Sequence, residues 1–105
     1  MKTKTKAEKE WLSRVAGLGC VVCERSLGIE GSPAVIHHVR HGYGKGQRAP
    51  HIGGTIPLCW AHHDAQSAVG YHHAPYDWQK RYGTEKELLN IVNEKLGFDN
   101  GSAGS

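Results

Sequence analysis

Apolar residues recur at helical spacing near both ends of the chain. Ala7, Trp11, Leu12, Val15, Ala16 and Leu18 fall on one face of a 3.6-residue period. The run from Thr5 to Glu8 has the capping-box pattern that opens a helix, and Gly19 can terminate it. This face reads as core-facing, with Trp11 in the core rather than serving as a base-stacking platform. Near the other end, Leu88, Leu89, Ile91, Val92 and Leu96 give a second amphipathic helix, opened by a capping box at Thr84–Glu87 and closed by Gly97. Pro75 suits the first position of a helix covering Tyr76 to Tyr82, with Gly83 ending it.

Between these ends the pattern changes. Ala34-Val35-Ile36-His37-His38-Val39 reads as a strand, and Thr55-Ile56-Pro57-Leu58 as a short second strand that Pro57 confines to an edge or to its end. Residues 24–34 hold Gly28, Gly31, Ser32 and Pro33 and read as a connecting loop. Residues 40–54 form a longer, glycine-rich loop. A helix of two or three turns is expected from Trp60 to Ala68, stopped by Gly70. Strand, long loop, strand and helix make a ββα unit, so the expected fold class is α+β: one small domain over residues 1–98, with flanking helices and a basic start. Residues 99–105 carry no periodicity and read as a flexible tail.

Composition changes this picture in one respect. The chain has 105 residues, 14 of them glycine, with a single phenylalanine and a single methionine, so it can bury only a thin core and a metal staple would help it. Three cysteines, an odd number, argue against a closed disulfide framework. No run of about 18 apolar residues is present, and the lysine-rich start lacks an apolar segment behind it. Neither a membrane span nor a signal peptide is read, and a cytoplasmic location is expected.

The cysteines and histidines fall into metal-ligand spacings. Cys20-Val21-Val22-Cys23 is one knuckle, and Cys59 and His62, at i and i+3, form the other. Two half-sites far apart in sequence are the usual architecture of a structural zinc site, so Cys20, Cys23, Cys59 and His62 are expected to share one Zn2+. Histidines stand in adjacent pairs three times, at 37/38, 62/63 and 72/73. His37 and His63 are read as ligands of a second, divalent ion, helped by His72 or alternatively His73. His38 follows His37 on the opposite side of the strand and is free to act as a general base. An ion there would hold a scissile phosphate and stabilise the charge that develops on it.

The formal charge is +3. Lys2, Lys4, Lys6 and Lys9 crowd the start, while Arg40, Lys45 and Arg48 lie in the glycine-rich loop. Basic groups flanking a metal site suit a polyanionic substrate, and these last three are the expected DNA contacts. His41 and His51 read as surface residues or further phosphate contacts.

The succession Cys20-x-x-Cys23, Ile36-His37-His38 and Ile56-Pro57-Leu58-Cys59-x-x-His62-His63 resembles the HNH (ββα-metal) endonucleases. The fuller run from Leu18-Gly19-Cys20 through His72 to Trp78-Gln79-Lys80-Arg81-Tyr82-Gly83-Thr84-Glu85 looks closest to the phage Ref-type recombination-enhancement nucleases. The resemblance covers roughly residues 7–97. It implies a metal-dependent endonuclease that hydrolyses DNA phosphodiester bonds, leaving a 5′-phosphate and a 3′-hydroxyl, and that works in recombination or DNA processing within a bacterial host cell. It implies His37 and His63 as ligands and His38 as the base, with Mg2+, Mn2+, Ni2+ or Zn2+ as the catalytic ion. DNA, single- or double-stranded, is the expected partner, and a recombinase filament a further one. Two departures stand out. Most HNH enzymes carry an asparagine before the second strand to orient the base, where this chain has Gly53, Gly54 and Thr55; that role falls to a backbone carbonyl or stays unassigned. The long basic extension of Ref-type proteins is also shorter here. The rival reading is a non-catalytic, zinc-stapled DNA-binding module, distinguished by one bound ion per chain in place of two.

Overall fold

A computed structural model describes residues 3–40 and 48–98. Helix α1, Lys6–Gly17, starts at Thr5, whose hydroxyl accepts from the Glu8 N–H while the Glu8 carboxylate accepts from the Thr5 N–H. Two orphan donors of the first turn are thereby satisfied. The chain leaves α1 through Gly19 at φ +79°, and a Cβ there would lie 2.7 Å from the Gly31 Cα, so only glycine fits. The expected loop after Cys23 is instead a π-helical turn, Cys23–Leu27, ended by Gly28 at φ +69°.

Strands β1 (Val35–His38) and β2 (Thr55–Leu58) pair antiparallel, with Val35 opposite Leu58, Ile36 opposite Pro57, His37 opposite Ile56 and His38 opposite Thr55. Both strands of a two-stranded sheet are edges, so Pro57 is tolerated. Helix α2 spans only Trp60–His63, a single turn rather than the two or three expected, because Asp64 is already extended at ψ 144°. The chain then doubles back. Tyr71 N–H donates to the His62 carbonyl at 2.9 Å and His72 N–H to the His63 carbonyl at 3.1 Å. Gly70 allows this return, since a Cβ on it would overlap the Asp64 carbonyl.

Helix α3, Pro75–Tyr82, begins at the proline and stops at Gly83. Helix α4, Glu85–Leu96, opens on the Thr84–Glu87 capping box and closes at Gly97 with φ +77°. Helices α1 and α4 pack against β2 and each other. Trp11, Val15, Ile56, Leu58, Leu88 and Val92 form the centre of the core, and Cys20 and Cys23 belong to the same cluster. The cysteine knuckle is therefore part of the apolar core rather than a replacement for it. Leu88 is fully buried, and shortening it to alanine would cost about 2–5 kcal/mol. Among the described residues, no helix is long and apolar enough to cross a membrane.

Candidate metal centres

The two halves of the first centre flank the two strands in sequence, and the antiparallel pairing of Val35 with Leu58 brings them to the same end of the sheet. Cys20 and Cys23 are presented by the knuckle after α1, where the Cys23 N–H donates to the Cys20 sulfur at 3.4 Å. Cys59 precedes α2 and His62 lies within it, one turn on. The His62 Nδ1 lies 3.7 Å from the Cys20 Sγ, 3.6 Å from the Cys23 Sγ and 3.2 Å from the Cys59 Sγ; the Cys23 and Cys59 sulfurs are 3.8 Å apart. Zinc bonds of about 2.3 Å to sulfur and about 2.0–2.1 Å to nitrogen give tetrahedral edges of about 3.8 Å for S···S and about 3.6 Å for S···N. The donor set thus has the dimensions of a closed tetrahedral site, and sulfurs 3.8 Å apart are not a disulfide. Burial pushes the metal-free Cys20 thiol up to about 12, and burial lowers His62. An ion entering here must displace thiol protons but meets an imidazole already favoured in its neutral, ligating form.

The second group contains His37, His63 and His72, with ligand atoms within 4.8 Å of one another. His37 reaches it from the inward face of β1, His63 from the last residue of α2 and His72 from the returning segment that Gly70 permits. The His37 ring centroid lies 5.3 Å from each of the other two, which are 4.7 Å apart. Exposure rises across the group: His37 is buried, His63 half-buried and His72 exposed. Burial lowers the pKa of both His63 and His72, and the neighbouring histidines lower them further, which keeps lone pairs available to a cation. His73, the alternative to His72, is not in the group; it is exposed, with its Nδ1 3.2 Å from the Ala65 carbonyl.

His38 points away from His37, as strand alternation requires, and its Nε2 lies 2.9 Å from the His51 Nδ1. Its pKa falls to about 4, first through burial, then through the Arg48 charge and the neighbouring histidines. His51, read as a surface residue or a further phosphate contact, is half-buried. Its carbonyl accepts from the Thr55 hydroxyl at 2.9 Å, fixing the loop beneath it.

The basic residues divide. Arg40 is exposed and lines a cavity of about 480 Å³ with Tyr71, His72, Tyr76 and Glu85, beside the three-histidine group. Arg48 is exposed on the His38 side. Lys45 and His41 lie outside the described residues. The residue that sequence reasoning passed over is Glu85. Given no site role by its place in a capping box or in the run from Trp78, it is 2 % exposed, with its Oε2 2.7 Å from the His37 Nε2. Tyr71, which donates to this carboxylate, is pushed up to about 12 by burial first and by the Glu85 charge second.

No curated protein matches this sequence. A family model described as DUF968, protein of unknown function, matches residues 1–98. The chain therefore belongs to the DUF968 family.

Proposed function

We propose that this protein is an HNH-type, metal-dependent endonuclease that hydrolyses DNA phosphodiester bonds. The observation that carries the reading is the juxtaposition of two unlike ligand sets: a closed set of four, Cys20, Cys23, Cys59 and His62, and an open set of three histidines whose exposed member borders a cavity. Four protein ligands exhaust a tetrahedral ion, whereas three leave a position for water or substrate. The first is read as structural zinc and the second as the catalytic centre.

In this reading His37, His63 and His72 would hold a divalent ion, which would supply Lewis-acid stabilisation of the charge that develops on the phosphate and leaving oxygen. His38, held neutral and oriented by His51, takes the proton of the attacking water through Nδ1, the ring nitrogen that His51 leaves uncommitted. Water adds to phosphorus, the bond to the 3′ oxygen breaks, that oxygen takes up a proton from solvent, and the products carry a 5′-phosphate and a 3′-hydroxyl. Arg40 and Arg48, on either side of the strand end, suit contacts to flanking phosphates, which position the backbone without reading sequence. The same role is proposed for Lys45.

Supercoiled plasmid incubated with magnesium, manganese, nickel or zinc tests the reading. Wild type nicks it with at least one ion, and His38→Ala loses roughly 100-fold or more of that rate while binding DNA as before. Absence of nicking with all four ions, from protein that binds DNA and carries a single ion per chain, would make it the non-catalytic module instead.

A further inference from the structure

A buried carboxylate is costly unless hydrogen bonds satisfy it, so what surrounds Glu85 is informative. The Arg40 backbone N–H donates to both of its oxygens, at 3.0 and 2.9 Å, and the Tyr71 hydroxyl donates to it as well. Its own N–H donates to the Gln79 Oε1 at 3.1 Å, and the Gln79 amide donates onward to the Pro75 carbonyl at 3.3 Å. The first turn of α4 is thereby tied to α3, and the side chain is held against β1. What this assembly grips is His37, at 2.7 Å, itself only 2 % exposed. The Arg40 N–H and the Tyr71 hydroxyl both direct hydrogen at the carboxylate, so it acts toward the imidazole as an acceptor and Nε2 of His37 carries the proton.

We propose that Glu85 is the positioning residue of the three-histidine centre. By accepting from the His37 Nε2–H it fixes one tautomer and one ring orientation, leaving the Nδ1 lone pair for a divalent cation shared with His63 and His72. The proposal rests on the reading that these histidines hold an ion. Carboxylate acceptors behind ligating imidazoles raise ligand basicity and remove ring rotation, and losing one weakens metal affinity by about 10–100-fold. Glu85 reaches the centre from α4, a helix that contributes no ligand, so the docking of α4 and the affinity of the centre are linked through one hydrogen bond.

Cobalt titration of protein whose four-ligand site is already filled with zinc tests this. Glu85→Gln preserves shape and one acceptor for the Arg40 N–H but lacks the charge. It is expected to lose about 10–100-fold in cobalt affinity at the second centre, with zinc content unchanged. Long-range 1H–15N spectra before cobalt is added should show His37 as the Nε2–H tautomer in wild type and a mixture in Glu85→Gln, a signature that a purely structural role would not move. Glu85→Asp, which keeps the charge on a shorter arm, is expected to bind cobalt between the two, and it carries the test if the glutamine variant does not fold. Cobalt affinity within about twofold of wild type in a folded variant overturns the role of Glu85 alone. A wild type that takes up no second ion overturns the centre and this role together.

Discussion

His38 and His51 are joined side chain to side chain, Nε2 to Nδ1, at 2.9 Å, across the gap between the end of β1 and the start of β2. One imidazole therefore orients another at the end of β1. His51→Ala should leave both ligand sets filled yet slow plasmid nicking by about 10–100-fold, the scale of losing an orienting partner. Unchanged nicking by a folded His51→Ala would show that the pair does not serve catalysis.

The same neighbourhood sets a pH response. His38 in the folded chain titrates near 4, below its ordinary value, through burial and then through Arg48. Between about pH 6.5 and 4 the unfolded chain takes up a proton that the folded chain refuses, so this residue lowers stability as pH falls through that window and contributes nothing above it. In zinc-loaded protein, imidazole 15N shifts should report His38 neutral at pH 5.5. Arg48→Ala should move its midpoint upward; an unmoved or lower midpoint would remove Arg48 from this role.

The closed set makes a stability prediction. Cys23→Ser should release one zinc and lower the melting temperature by roughly 10 °C or more, because metal binding there is coupled to folding and Cys23 also sits in the core. Retention of wild-type zinc content and melting temperature would contradict the assignment.

Several features were legible in the chain because their causes are local. The capping boxes at Thr5 and Thr84, Pro75 at a helix start, and the alternation that separates His37 from His38 all depend on residues within a turn or strand of one another. The ligand spacings of Cys20, Cys23, Cys59 and His62 were equally visible, since each half-site is short. What the pattern did not disclose is long-range. Glu85 meets His37 across 48 positions, and a glutamate in a helix's first turn already has a local explanation in the helix dipole. The early end of α2 has the same kind of cause: apolar spacing favours continuing to Ala68, but the His63–His72 and His62–Tyr71 hydrogen bonds turn the chain back at Asp64.

That return predicts a selective defect. Gly70→Ala places a methyl group against the Asp64 carbonyl and should destabilise the fold by about 1–3 kcal/mol. It should also displace His72, so uptake at the three-histidine centre weakens while the zinc set is retained. Equal weakening of both sets, or of neither, would argue against this division.

Ion stoichiometry by native mass spectrometry tests the central claim most directly. The protein supplied with zinc should carry two ions per chain, with His63→Ala reduced to one and Cys23→Ser losing the other. A wild type that saturates at one ion, or a His63→Ala variant that still holds two, would contradict the account of one closed and one open centre.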